Sequence, residues 1–256
     1  MRVVIKIGTS TLTYAGGAVN IRRIESLCRA ISDMKNAGYE VVMVSSGAIG
    51  MGVGRLNLKD RPTDIAGKQA AAAVGQCELM YVYDTEFSRY NHTVAQLLLT
   101  APDFDCEDRH KKLTDTMTRL LELGVIPIVN ENDTIATEEI VFGDNDTLAA
   151  KVAVSVGADL LILLSDIDGL YTADPRACAD ATLIDEVREL NDEIMALGGG
   201  AGSALGTGGM VTKLRAARLV TDAGCDMIIM NGAYPDGLYR VMDGVKIGTR
   251  FYGKDQ

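Results

Sequence analysis

The sequence predicts an α/β fold, a three-layer αβα sandwich around a mainly parallel open sheet, and three observations support this prediction. Short aliphatic and β-branched runs alternate with longer segments of helical periodicity at least four times along the chain. Each of these runs leads into a loop rich in glycine, hydroxyl or acidic residues. The chain has 256 residues, 47% of them hydrophobic, which is enough to bury a large core. Strands separated by helices in this way pair in parallel, with helices on both faces of the sheet.

The first predicted strand, at residues 3–7, contains a lysine, Lys6, close to its end. A lysine in a buried strand is unfavourable unless it meets an anion, although an exposed edge strand would also explain it. Further strands are predicted at residues 41–44, 93–99, 125–129, 159–164 and 225–230, with an edge strand or hairpin arm at 138–142.

Helices are predicted between these strands. Asn20 is placed to cap a helix with an apolar stripe from Ile21 to Met34, which stops near Gly38. Residues 64–83 carry a run of small side chains, which is typical of a helix that packs closely against a neighbour. Another helix follows with its stripe at residues 113–121.

A glycine-rich segment from Gly206 to Lys213 has the composition of a phosphate-binding loop. Its glycines allow close backbone approach, and a helical pattern follows Lys213 and ends near Gly224. The order of residues fits neither the Walker loop nor the dinucleotide fingerprint. A flexible surface loop is the alternative explanation of this segment alone.

Composition narrows the class of partner. The formal charge of −10, with no local cluster of basic residues, argues against nucleic acid, and no run reaches the roughly 18 apolar residues of a membrane span. The five scattered cysteines contain no C-x-x-C pair, so we expect a reducing, cytoplasmic location and buried, unreactive thiols. The two histidines leave little room for a zinc site or a histidine-dependent triad.

The polar loops are expected to meet, because the carboxyl ends of parallel strands lie along one edge of the sheet. Cations that neutralise phosphate, carboxylates that hold Mg²⁺ or orient lysines, and hydroxyls for a polar acceptor are the groups that phosphoryl transfer requires. For Asp146, capping of the following helix is an alternative or additional role. The residues brought together in this way are Lys6, Ser46, Asp133, Asn145, Asp146, Asp166 and Lys213.

Seven segments in order resemble the amino acid kinase family over nearly the whole chain. They are VIKIGTS at 4–10, VSSGA at 44–48, NENDT at 130–134, FGDND at 142–146, LLSDIDGLYT at 163–172, DPR at 174–176, and GTGGM at 206–210 with Lys213. The resemblance is greatest to the branch that phosphorylates free L-glutamate.

The resemblance implies a role for each matching residue. Lys6 and Lys213 would neutralise the transferring phosphoryl group, and Asp146 would hold both lysines. Ser46, Asp133 and Asn145 would bind the amino acid. The nucleotide would contact both lysines and Gly8, Ser165, Asp166, Tyr171, Thr207, Gly208, Gly209 and Met210, with Pro175 beside the adenine.

The implied reaction uses ATP and Mg²⁺ to convert L-glutamate to L-glutamyl 5-phosphate, the first step of proline biosynthesis. The family also implies a homo-oligomer, a dimer or tetramer, and feedback inhibition by L-proline. We expect one domain, with an amino-acid lobe at about residues 1–160 and a nucleotide lobe at about 161–256. The C-terminal PUA domain of many bacterial members is expected to be absent.

Rival interpretations remain at this stage. Acetylglutamate, aspartate, carbamate and uridylate kinases share the nucleotide half, but Asp133 favours a free amino acid because it can pair with an ammonium group. A non-catalytic nucleotide sensor of the same fold is the alternative from another class. The presence of both lysines and Asp146 favours an enzyme, since binding alone does not need charge at the transferring phosphate.

Overall fold

A computed structural model describes residues 1–14, 18–135, 145–199 and 209–254. The strands in these ranges are β1 (Arg2–Ile7), β2 (Glu40–Ser45), β3 (Val94–Leu99), β4 (Ile126–Glu131), β5 (Leu160–Ser165), β6 (Glu186–Val187), β7 (Asp226–Asn231) and β8 (Thr249–Phe251). The helices are α1 (Thr9–Leu12), α2 (Ile21–Asn36), α3 (Ala48–Arg55), α4 (Ile65–Ser88), α5 (Pro102–Asp105), α6 (Glu107–Glu122), α7 (Asn145–Ser155), α8 (Asp192–Ala196), α9 (Met210–Asp222) and α10 (Gly237–Met242).

The eight strands form one sheet in the order β3-β4-β2-β1-β5-β7-β8-β6. All neighbours pair in parallel except β7 and β8, which are antiparallel. The predicted mainly parallel open sheet is therefore confirmed. Strands β2, β3 and β4 lie on one side of β1, and β5, β6, β7 and β8 lie on the other. The strand order therefore reverses at β1. Open α/β sheets bind ligands at such a reversal.

Two hydrophobic cores lie on opposite faces of the sheet, as a three-layer sandwich requires. Alternate residues of β1 contribute to each: Val4 packs with α6, α7 and α9, whereas Ile5 packs with α2, α4 and α10. Lys6 has the same parity as Val4 and therefore lies on the face covered by α7 and α9. Because β1 is central, the edge-strand explanation of Lys6 is wrong.

The small residues of α4 allow the close packing that the sequence predicts. A Cβ atom built on Gly75 would lie 1.8 Å from the carbonyl oxygen of Ala48, and one on Gly52 would lie 1.8 Å from that of Ala71. The backbones of α3 and α4 therefore touch. This contact fixes the start of α3, which directly follows the loop at Ser46.

Some local predictions need correction. Asn20 caps α2 as expected, but Ile21 is exposed and does not belong to the buried stripe. Asn130 and Glu131, predicted in a loop, are the last two residues of β4. The expected arm at residues 138–142 lies outside the described residues.

The cysteine prediction holds for only two of the five. Cys28 and Cys225 are buried, and burial raises the pKa of Cys225 to about 12, so this thiol is unreactive. Cys77 on α4, Cys106 between α5 and α6, and Cys178 between β5 and β6 are exposed, so the prediction is wrong for these three. No helix in the described ranges is both long and apolar enough to span a bilayer.

Candidate active site

A buried carboxylate with a lysine on each of its oxygens is the centre of the site. Lys6 Nζ lies 2.6 Å from Asp146 Oδ1, and Lys213 Nζ lies 2.9 Å from Asp146 Oδ2. The exposed fractions are 7% for Lys6, 5% for Lys213 and 0% for Asp146. Two ammonium groups and one carboxylate give the cluster a net charge of +1, and burial strengthens its interaction with an anion.

Three elements bring these side chains together. Lys6 comes from β1, Asp146 from the first turn of α7 and Lys213 from the first turn of α9. Asp146 is a residue of α7 and does not precede the helix, so the predicted N-cap role is wrong. Its side chain pairs with the two lysines instead. Thr212 Oγ1 also donates a hydrogen bond to Asp146 Oδ2, at 3.3 Å.

A second polar group surrounds Asn145, the residue before Asp146. Asn145 Nδ2 donates to the carbonyl oxygen of Ser45 at 2.7 Å, to Ser46 Oγ at 2.8 Å and to Asn130 Oδ1 at 3.2 Å. The amide is therefore oriented by the ends of β2 and β4. Within the described residues its Oδ1 accepts no hydrogen bond, so it can accept one from a ligand.

Asp133 follows β4 in a turn and is half-buried. Burial raises the pKa of its carboxyl above the ordinary value, and the nearby positive charge of Arg61 opposes that shift. A cationic ligand group would relieve the cost of keeping this carboxylate ionised.

A cavity of about 670 Å³ has Lys213 as one of its lining residues. Its volume is in the range of small-molecule sites. It lies between the loop after β5 and the first turn of α9, where backbone N–H groups have no helical partner. Among the residues that line it are Asp166, Tyr171, Pro175, Gly209, Met210 and Lys213.

Metal binding by protein side chains alone has no support in the part of the chain that the structure describes. No group of three or more histidine, cysteine or acidic residues in those ranges is placed to hold a metal ion. Asp146, the most buried carboxylate of the site, has both of its oxygens occupied by lysines. A Mg²⁺ ion therefore fits this site as part of a metal–triphosphate complex, with phosphate oxygens among its ligands.

Comparison with known proteins agrees with this geometry. A model of the amino acid kinase family matches residues 1–231. The chain belongs to the amino acid kinase family. Among its relatives, the glutamate 5-kinase of Clostridium perfringens is 54% identical, over 99% of this chain and 96% of the relative. The glutamate 5-kinase of Clostridium acetobutylicum is 51% identical, over 100% of this chain and 96% of the relative. The glutamate 5-kinase of Carboxydothermus hydrogenoformans is 52% identical, over 99% of this chain and 68% of the relative.

The fold is also that of a solved kinase structure. Carbamate kinase from Giardia lamblia bound to AMP-PNP superposes with a TM-score of 0.69, covering 99% of this chain and 98% of the other. The two sequences are 20% identical, so this likeness concerns the fold.

The structure gathers most of the predicted site residues of this amino acid kinase at one edge of the sheet. Ser165 ends β5 and donates to Asp166 Oδ1 at 3.2 Å, and Gly8 directly follows β1, but neither is among the residues that line the cavity. Asp166 is also 3.6 Å from Arg176 Nη2. Thr207 and Gly208 lie outside the described residues.

Asn130 and Tyr83 are buried residues that contact the site and were not singled out from the sequence. Asn130 accepts the Asn145 amide, and Tyr83 OH lies 2.9 Å from Ser45 Oγ. Asn130 belongs to the NENDT motif and directly follows an apolar run. This position at the end of a predicted strand is the feature of the sequence that indicates a site residue. Nothing in the local sequence of Tyr83 distinguishes it from an ordinary core residue.

Proposed function

We propose that this chain transfers the γ-phosphoryl group of ATP to the side-chain carboxylate of L-glutamate, giving ADP and L-glutamyl 5-phosphate, the first step of proline biosynthesis. The observation that carries the proposal is the buried Lys6–Asp146–Lys213 cluster, positioned next to an oriented amide at Asn145. The relatives named glutamate 5-kinase, more than half identical over almost the full chain, give the same acceptor.

The lysine cluster acts on the migrating phosphoryl group. Charge on its oxygens and on the bridging oxygen to ADP must be stabilised as the bond to the leaving group breaks. Lys6 and Lys213 supply that stabilisation, and Asp146, paired with both ammonium groups, holds them close together before ATP binds. The glutamate carboxylate is ionised near neutral pH, so it attacks phosphorus without a general base.

The acceptor is held by the polar group at the ends of β2 and β4. Asp133 pairs with the ammonium group of glutamate, which explains why a half-buried carboxylate is placed there. Asn145 offers Oδ1, and the Ser46 hydroxyl contacts a substrate carboxylate. An acetylated amine cannot form the pair with Asp133, so this arrangement favours a free amino acid.

The nucleotide occupies the cavity beside α9. Its phosphates lie at the first turn of the helix near Gly209 and Met210, and its base lies toward Tyr171 and Pro175. We also assign Ser165, Asp166 and Gly8 to nucleotide binding, as the family resemblance implies. Mg²⁺ bound with the nucleotide would supply charge neutralisation.

The proposal divides the chain into an amino-acid lobe, about residues 1–160, and a nucleotide lobe, about residues 161–256, as the family resemblance implies. We further propose a cytoplasmic homo-oligomer that L-proline inhibits at the glutamate site, as the family resemblance implies. Light scattering of the purified protein, and activity measured with added proline, test these two properties.

An acceptor screen tests the main proposal. Purified protein is incubated with ATP, Mg²⁺ and one acceptor, and ADP release and acyl-hydroxamate formation are measured. L-Glutamate should give both products. Aspartate, N-acetylglutamate, carbamate and UMP serve as competing acceptors, and turnover with one of them but not with glutamate would overturn the assignment. ATP binding without turnover on any acceptor would identify a nucleotide sensor instead.

A further inference from the structure

A buried glutamine on α4 contacts the acceptor side of the site, and the proposed chemistry leaves it without a role. Gln76 is 7% exposed, and its Oε1 accepts a hydrogen bond from Asn130 Nδ2 at 2.9 Å. The side chain therefore joins α4 to the end of β4. Most other buried positions of α4 are apolar or small, so this amide needs a separate explanation.

The amide groups form a chain in which each orientation sets the next. The backbone N–H of Glu131 donates to Asn130 Oδ1 at 2.9 Å, which directs Asn130 Nδ2 toward Gln76. Asn130 Oδ1 also accepts from Asn145 Nδ2, which in turn donates to Ser46 Oγ. Because amide nitrogens only donate and amide oxygens only accept, rotation of one side chain would break the contacts of its neighbours.

The backbone around Gln76 holds its position firmly. The neighbouring Gly75 is pressed against the first turn of α3, where an added Cβ would lie 1.8 Å from the oxygen of Ala48 and 2.4 Å from the nitrogen of Gly52. That turn begins two residues after Ser46. Gln76 is thus fixed relative to the loop that carries one of the acceptor-binding residues.

The orientation of the Gln76 amide has an energetic cost. Gln76 Nε2 is buried and has no hydrogen-bond partner among the described residues, because Oε1 must face Asn130. An unpartnered buried donor weakens the fold. An apolar residue at position 76 would remove this donor while leaving Asn130 Nδ2 unpaired, so one unsatisfied group would replace another. Stability alone therefore gives little reason for a glutamine here.

We propose that Gln76 is a positioning residue for the acceptor amino acid. It fixes the amide of Asn130, and through it the amide of Asn145, so that Asn145 Oδ1 is presented to the substrate. Gln76 acts on acceptor binding, since its side-chain hydrogen bond in the described part of the chain is to Asn130. This inference rests on the proposed glutamate kinase activity.

The test compares Gln76→Leu, the longer Gln76→Met, and Glu86→Gln as a matched change of a buried polar residue elsewhere on α4. Steady-state kinetics with glutamate and ATP varied separately, and thermal unfolding, are measured for each. Both Gln76 variants should raise the glutamate KM about tenfold, the effect of one lost hydrogen bond, with the ATP KM within about twofold of wild type. Their unfolding midpoints should stay close to that of the wild type, and Glu86→Gln should leave both KM values unchanged.

A double-variant cycle gives the second readout. If Gln76 acts through Asn130, Gln76→Leu combined with Asn130→Leu should raise the glutamate KM no further than Asn130→Leu alone. Independent, multiplying effects would overturn the proposal, as would equal increases in both KM values. Unfolding of both Gln76 variants at much lower temperature would identify a structural residue and would also overturn it. If wild-type protein shows no glutamate-dependent turnover, the proposed function itself fails, which these kinetics distinguish from failure at Gln76.

Discussion

Replacement of Asp146 by asparagine removes a negative charge that both site lysines share. The change keeps the size of the side chain and leaves an oxygen and an NH₂ group where the two carboxylate oxygens were. Lys6 and Lys213, at 2.6 and 2.9 Å from those oxygens, would then be buried ammonium groups without this counter-charge. The net charge of the three groups would rise from +1 to +2.

The expected loss of stability follows from the burial of all three groups. Removing one partner of a buried ion pair costs about 3–5 kcal/mol, because the remaining charge stays desolvated. For a chain of this size, each kcal/mol shifts the unfolding midpoint by about 2–4 °C, so Asp146→Asn should lower it by roughly 6–20 °C. Because the lysines also lose their orientation, kcat should fall steeply.

Thermal unfolding with and without ATP·Mg²⁺ is the assay, with Glu40→Gln as the control. Glu40 forms an ion pair with Arg2 at 2.9 Å, but its side chain is 42% exposed, so its removal should cost at most about 1 kcal/mol. ATP·Mg²⁺ should raise the midpoint of Asp146→Asn more than that of wild type, since the triphosphate replaces the missing anion. A midpoint no lower than that of Glu40→Gln would refute the charge argument.

Three other changes test separate parts of the structure. Lys213→Met should lower kcat about 10²- to 10³-fold and change the glutamate KM little, because the ammonium acts on the transition state; steady-state kinetics showing an effect on KM alone would contradict this. Asp133→Asn should raise the glutamate KM about ten- to a hundredfold by removing the partner of the substrate ammonium. Burial raises the pKa of Asp133, so wild-type kcat/KM for glutamate should fall as the pH is lowered through that raised value, and a pH profile of Asp133→Asn should lack this limb. Gly75→Ala should cost at least about 1–3 kcal/mol in denaturant unfolding, because its methyl group would overlap the oxygen of Ala48, whereas Ala70→Ser on the exposed face of the same helix should be near neutral.

The sheet could be predicted from the sequence wherever a strand is buried on both faces. Continuous aliphatic runs such as those of β1 and β5 predict buried strands, and Asn20 as an N-cap predicts the start of α2. The short strands β6 and β8 could not be predicted. They have two and three residues, and their existence depends on pairing with each other and, for β8, with β7.

The site was predictable where the rule for strand ends applies. Lys6 and Ser46 follow from it directly, because each lies at the end of an apolar run. The sequence predicts Asn130 in a loop because asparagine is rare in strands. In the structure β4 continues through Asn130 because its backbone pairs with β3, where Leu98 lies opposite Asn130. No sequence motif in α4 marks Gln76 as a site residue. The packing of α4 against α3 determines which face of α4 lies toward the acceptor side, and this packing could not be predicted from the sequence.

The two halves of the reaction are linked through two consecutive residues of α7. Asn145 contacts the ends of β2 and β4, and Asp146 contacts Lys6 and Lys213. Neighbouring residues on a helix point about 100° apart, so one rigid turn can face the acceptor and the phosphoryl-binding lysines at once. In the proposed reaction, the distance between the glutamate carboxylate and the γ-phosphorus would be set largely by the first turn of α7, a helix that packs against β1 and α9. Since positioning supplies much of the rate enhancement when no general base is needed, a small shift of this turn would damage catalysis even with every contacting side chain intact.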